Sequence, residues 1–136
     1  MQDRLRRFRR LIAAATGQER ALGEEVARLQ ASCRQFDARL AALQPGPPEP
    51  GVRTAAEMAH RQRYRQQAER LRGELQAERL GVEREWRVGR RRLTEMAQTR
   101  RALQQFAGRL ERSEELAQRR LEQQALDEHA QARGAR

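Results

Sequence analysis

Few side chains in this sequence carry reactive chemistry, and none is spaced to use it. His60 and His129 lie far apart, and neither has a second ligand at metal-binding spacing. Cys33 is the one cysteine, so no internal disulfide can form. No nucleophile stands with a base, and no glycine-rich phosphate loop is present. Glu24, Glu25, Glu83 and Glu85 fall three or four residues from arginines, the spacing of ion pairs on a helix surface. An enzyme is therefore not expected, nor a cofactor, a metal or a small-molecule substrate. What remains is arginine: Arg4, Arg6, Arg7, Arg9 and Arg10, then Arg90, Arg91 and Arg92, then Arg100 and Arg101. All 29 basic residues are arginine, and the formal charge is +10. Arginine keeps its charge, forks onto carboxylates and stacks on aromatic rings. The chemistry on offer is recognition of an acidic surface, whether protein, nucleic acid or anionic membrane.

Helices must carry these arginines. From Arg53 to about Gln131 the chain holds no proline and consists mainly of Arg, Glu, Gln, Ala and Leu, all good helix formers. Such a helix is ~120 Å long at ~1.5 Å per residue, too long for a compact domain. It must project, pair lengthwise, or both. Its expected apolar seam runs through Tyr64, Ala68, Leu71 and Leu75, continues through Val82, Trp86, Gly89, Leu93 and Met96, and ends on Leu103, Ala107, Leu110, Ala117 and Leu121. Between Leu75 and Trp86 two consecutive steps of four, through Glu78 and Val82, predict a stutter that unwinds a supercoil. Arg100 and Glu114 interrupt the seam.

The first helix, expected over about 3–43, has the clearer pattern. Leu5, Phe8, Ile12, Ala15, Glu19, Leu22, Val26, Leu29, Cys33, Phe36, Leu40 and Leu43 alternate steps of three and four without a break. Glu19 either fixes register or snorkels. Cys33 is expected as a buried thiol. All four prolines fall between Pro45 and Pro50, where they stop the first helix. Thr54, with Glu57 three residues on, is the candidate cap of a second helix over about 53–131. The nine-residue turn over 44–52 is long enough to reverse direction. The expected fold is thus all-α: one domain over 1–136, a two-helix antiparallel coiled-coil hairpin with a longer, overhanging C-terminal helix. With the turn centred near Pro48, residue i should face about 96 − i, leaving residues from Met96 onward without a partner in the chain. The internal glycines mark either close packing or nothing in particular, and Gly134 is a plausible helix stop.

With 38% apolar, 4% aromatic and 35% charged residues, the composition suits a coiled coil and not a sandwich or barrel. No stretch approaches the ~18 apolar residues of a membrane span, and no secretory signal is evident, so a reducing cytoplasm is the expected location. Specific nucleic-acid recognition is disfavoured: the first basic cluster already carries the seam, and aromatic stacking platforms are missing.

The basic amphipathic start, the mid-chain break, Glu85-Trp86 followed by a Leu/Met ladder, and the ending Arg119-Arg120-Leu121-Glu122-Gln123-Gln124-Ala125-Leu126-Asp127-Glu128-His129-Ala130 together resemble the FliJ/YscO/HrpO family of flagellar and type III secretion export. His129 stands where that family often has an aromatic. The resemblance implies a two-helix stalk in the pore of a hexameric export ATPase, reaching toward the export gate and engaging secretion chaperones, peripheral at the inner-membrane apparatus. On that reading Arg4, Arg6, Arg7, Leu110 and Leu121 belong to the ATPase end, and His60, Arg61 and Tyr64 to the gate end. The short length and proline-rich turn, unusual for such a stalk, lean toward an injectisome. The alternatives are a structural or adaptor coiled coil that self-associates, and a basic nucleic-acid-binding helical protein.

Overall fold

In a computed structural model, which describes residues 2–43, 51 and 54–135, the chain forms two helices. α1 spans Gln2–Ala42 and α2 spans Ala55–Gly134, 41 and 80 residues. No strand occurs among the described residues. The two helices pack antiparallel as a coiled-coil hairpin with the longer helix second. α2 begins as its cap requires: Thr54 Oγ1 accepts the Glu57 backbone N–H at 3.2 Å, satisfying one of the donors a helix start leaves orphaned. Gly51 holds φ +119°, a conformation that L side chains rarely adopt. Residues 44–50 and 52 of the expected turn, with all four prolines, lie outside the described residues.

Packing divides into two units, Met1–Arg20 with Thr94–Arg136, and Ala21–Leu93. In the second of these, Val26 and Leu29 straddle Gly89, where an added Cβ would stand 3.2 Å from Val26 Cγ2. Glycine at this seam position lets the backbones approach. Gly17, Gly23, Gly73 and Gly81 would meet nothing, so only Gly89 among these five is explained by close packing. Arg79 Nε donates to Asp37 Oδ1 at 2.6 Å, and Arg72 Nη2 donates to the Leu43 carbonyl at 2.8 Å. The Asp37 hydrogen bond, and then its charge, raise the Arg79 pKa above its already high ordinary value. Trp86 is half-buried with Arg90 over its ring at 4.9 Å, and its buried Nε1–H has no partner.

In the other unit Leu5, Ala15 and Ala107 are buried, and Phe8 stacks on Phe106 with ring centroids 6.5 Å apart. Glu19 Oε2 accepts from Arg100 Nε at 2.5 Å, and Arg9 reaches Glu111 at 3.4 Å. Glu19 therefore does not merely snorkel: it is answered across the seam by the arginine that had looked like an interruption.

Every one of the twelve α1 seam positions is buried or half-buried, from Leu5 to Leu43, with Cys33 half-buried and not fully enclosed. The α2 seam differs from expectation in three ways. First, the pairing rule of 96 − i fails. Leu43 lies beside Arg72, Asp37 beside Arg79, Glu19 beside Arg100 and Phe8 beside Phe106, each about twenty residues, or ~30 Å of helix, farther along α2. The arithmetic assumed the tightest reversal the prolines allow. Instead the first turns of α2 run on past the end of α1. Second, the pairing does not end near Met96 but continues to Glu111, and Glu114 shares a surface recess with Leu5, Arg6 and Arg9. Third, there is no stutter. Arg72, Leu75, Arg79, Val82, Trp86, Gly89, Leu93, Met96, Arg100, Leu103, Ala107, Leu110 and Glu114 are all buried or half-buried, and they alternate steps of three and four throughout. Glu78 is exposed, as are Tyr64 (69%) and Leu71 (44%). Arg72 and Arg79 occupy the positions that the expected seam had given to Leu71 and Glu78.

Candidate partner-binding surface

The residues left uncovered follow from that register. Every residue from Glu115 to Ala135 is exposed, because α1 supplies no side chain opposite them among the described residues. Leu116, Leu121 and Leu126 are 55%, 66% and 63% exposed. At the start of α2 the same happens: from Thr54 to Gln67 only Arg61 is even half-buried, and Met58 is 63% exposed. A long amphipathic helix with its seam bare needs a covering surface, since isolated helices owe most of their stability to packing.

The expected site residues separate accordingly. Arg4, Arg6 and Arg7 are exposed on the first turns of α1, in the same unit as Leu110 and Leu121. Leu110, however, is half-buried in the seam and largely committed to α1, whereas Leu121 is open. His60, Arg61 and Tyr64 belong to the other unit, with His60 and Tyr64 exposed and Arg61 half-buried. Tyr64 is thus a surface residue and not a seam residue.

Sequence reading overlooked a third group. Arg109, Arg112, Ser113, Leu116, Ala117 and Arg120 line an open groove along one side of α2. Their spacing of three, four and four places Arg109, Arg112, Leu116 and Arg120 on one helical stripe. The acids of this stretch, Glu111, Glu115 and Glu122, follow each other at helical spacing on a different stripe. Arg109, Arg112 and Arg120 make no ion pair among the described residues, while Arg119 stands on the acids' own line, four residues after Glu115 and three before Glu122. Arg109 lies over the Phe106 ring at 5.8 Å, and Arg112 Nε donates to its own helix at the Gly108 carbonyl. The signal was available as the i, i+3, i+7, i+11 spacing, but counting arginines as clusters of neighbours in sequence hides it.

Four arginines elsewhere are held in ion pairs among the described residues. Arg79 and Arg87 both reach Glu83, and Arg9, Arg79 and Arg100 each reach an acid on α1 or α2. No helix among the described residues is long and apolar enough to cross a membrane. No family model, curated protein or solved structure matches this chain.

Proposed function

We propose that this chain is a non-enzymatic stalk of a bacterial type III secretion export apparatus, entering a hexameric export ATPase by the unit that holds the α1 start and linking that ATPase to the export gate. The observation that carries the reading is the unequal hairpin: α2 continues for some twenty residues beyond Glu114, about 30 Å, with its leucines open. A stalk inside a ring needs a narrow section and an end that another molecule can grip. The exposed Arg4, Arg6 and Arg7 beside that end suit carboxylates on a pore wall. The resemblance of the chain's ending to the FliJ/YscO/HrpO family points the same way, and on it secretion chaperones are further partners, with the protein cytoplasmic and peripheral at the inner-membrane apparatus.

The test is ATP hydrolysis by the cognate export ATPase with and without this protein. Stimulation is expected, and the triple change Arg4→Gln, Arg6→Gln, Arg7→Gln should weaken it and flatten its dependence on salt, because exposed charges act within about 10 Å at 0.1 M. Unchanged stimulation at low salt removes these arginines from the mechanism. No stimulation by the native protein, together with stable dimerisation through the bare leucines, favours a self-associating adaptor instead.

A further inference from the structure

The geometry points to the Arg109–Arg112–Leu116–Arg120 flank of α2 as a docking site for an acidic amphipathic helix of a protein partner. This goes beyond the stalk reading and does not depend on it, because it concerns a face of α2 and not the arginines of α1.

Three observations select that occupant. The stripe is basic without internal compensation, since Arg109, Arg112 and Arg120 make no ion pair among the described residues and Glu111, Glu115 and Glu122 follow a different line of the helix. It is also apolar at its centre: Leu116 is 55% exposed between Arg112 and Arg120, and Ala117 lines the same groove. Finally, the groove is linear, running along α2 through residues spaced at successive helical turns. A second helix laid alongside fits such a surface by its own three-four spacing, with apolar residues toward Leu116 and Ala117 and carboxylates toward the guanidiniums.

Rival occupants fit less well. Nucleic acid would use the charge and leave Leu116 without a function, there being no exposed aromatic platform on this stripe beyond Phe106, which already carries Arg109 and Phe8. A second copy of this chain offers mixed charge: its Glu111, Glu115 and Glu122 line also carries Arg119, and Glu69, Glu74 and Glu85 are interspersed with Arg70, Arg84 and Arg87.

The probe is a synthetic helix of about three heptads, leucine at its core positions and glutamate flanking them. Its binding to the full chain is followed by fluorescence anisotropy at 0.15 M salt, against a scramble of identical composition and against polyglutamate. The amphipathic helix is expected to bind at least about tenfold more tightly than the scramble, about 1.4 kcal/mol. Reversing the stripe with Arg109→Glu, Arg112→Glu and Arg120→Glu should weaken binding by about tenfold or more, and Leu116→Ala by about fivefold. The same charge change placed elsewhere, Arg63→Glu, Arg70→Glu and Arg84→Glu, should leave it within about twofold, since these arginines belong to the other unit and not to the stripe. All these side chains are exposed, so the variants should keep the helical circular dichroism of the native chain. Equal binding of the scramble or polyglutamate overturns the proposal, as does equal loss from the two charge reversals. Tighter binding of duplex DNA or anionic vesicles than of the helix, or a Leu116-dependent dimer that excludes the probe, assigns the stripe to a different occupant and overturns it too. Loss of ATPase stimulation in the Arg4, Arg6, Arg7 variant with probe binding intact leaves this inference standing on its own.

Discussion

The pair formed by Glu19 and Arg100 offers the sharpest test of how this hairpin holds its register. Both heptad seams would permit α1 to slip along α2 by seven residues, since a slip of one heptad returns a core position to a core position. The Asp37–Arg79 pair resists this weakly. Arg72 and Arg65 lie one and two heptads before Arg79, so an Asp37 slipped toward the start of α2 finds another arginine, and only the opposite slip, onto Trp86, is opposed. Arg100 has no such substitute: the residues one heptad away on either side are Leu93 and Ala107. A slipped Glu19 would press its carboxylate on an apolar side chain and leave Arg100 unanswered. The two side chains are 24% and 25% exposed, so the pair is only partly screened by solvent. A hydrogen bond to a charged group is worth about 1.5–3 kcal/mol, and discounting for that residual exposure leaves about 1–2 kcal/mol. Glu19→Ala should therefore lower the urea-unfolding free energy, followed by helical circular dichroism, by about 1–2 kcal/mol. Arg100→Ala should cost a similar amount, and the double variant less than the sum, with a coupling of about 1 kcal/mol. The double replacement by leucine is the informative control. Removing a semi-buried ion pair in favour of apolar packing is often neutral or stabilising, so stability should hold while register specificity falls. Spin labels at exposed Gln18 and Gln98, in a Cys33→Ser background, should then report a broadened distance distribution. A coupling indistinguishable from zero, or an unbroadened distribution in the double-leucine variant, would refute the assignment of register to this pair.

Two further outcomes follow from individual positions. Gly73→Ala and Gly81→Ala should each raise stability by about 0.5–1 kcal/mol, because a methyl there meets nothing and glycine is a poor helix former. Gly89→Ala should gain nothing by the same urea assay, since its Cβ would press on Val26 at 3.2 Å, and equal gains at all three sites would remove the close approach from the account. Thr54→Ala deletes the acceptor of the Glu57 N–H and should cost about 1 kcal/mol locally, read as faster amide hydrogen exchange in the first turn of α2 with the Glu19–Arg100 region unchanged.

The sequence by itself determined that the chain is helical, where the two helices divide, and every core position of α1. Each of those rests on local physics: helix-forming residues, prolines that stop a helix, a threonine that caps one, and apolar side chains recurring every three or four residues. The register between the helices, and with it the α2 seam and the exposed groove, came only with tertiary structure. The expected seam took Leu71 for its apolar side chain and then stepped through Glu78, passing over Arg72 and Arg79, because a guanidinium reads as surface until its acceptor is known. Those acceptors, the Leu43 carbonyl and the Asp37 carboxylate, are carried by the other helix. A periodic seam specifies which face of a helix is covered, but it repeats every heptad, so which turn meets which is decided by the few polar pairs that fit in one alignment and in no other.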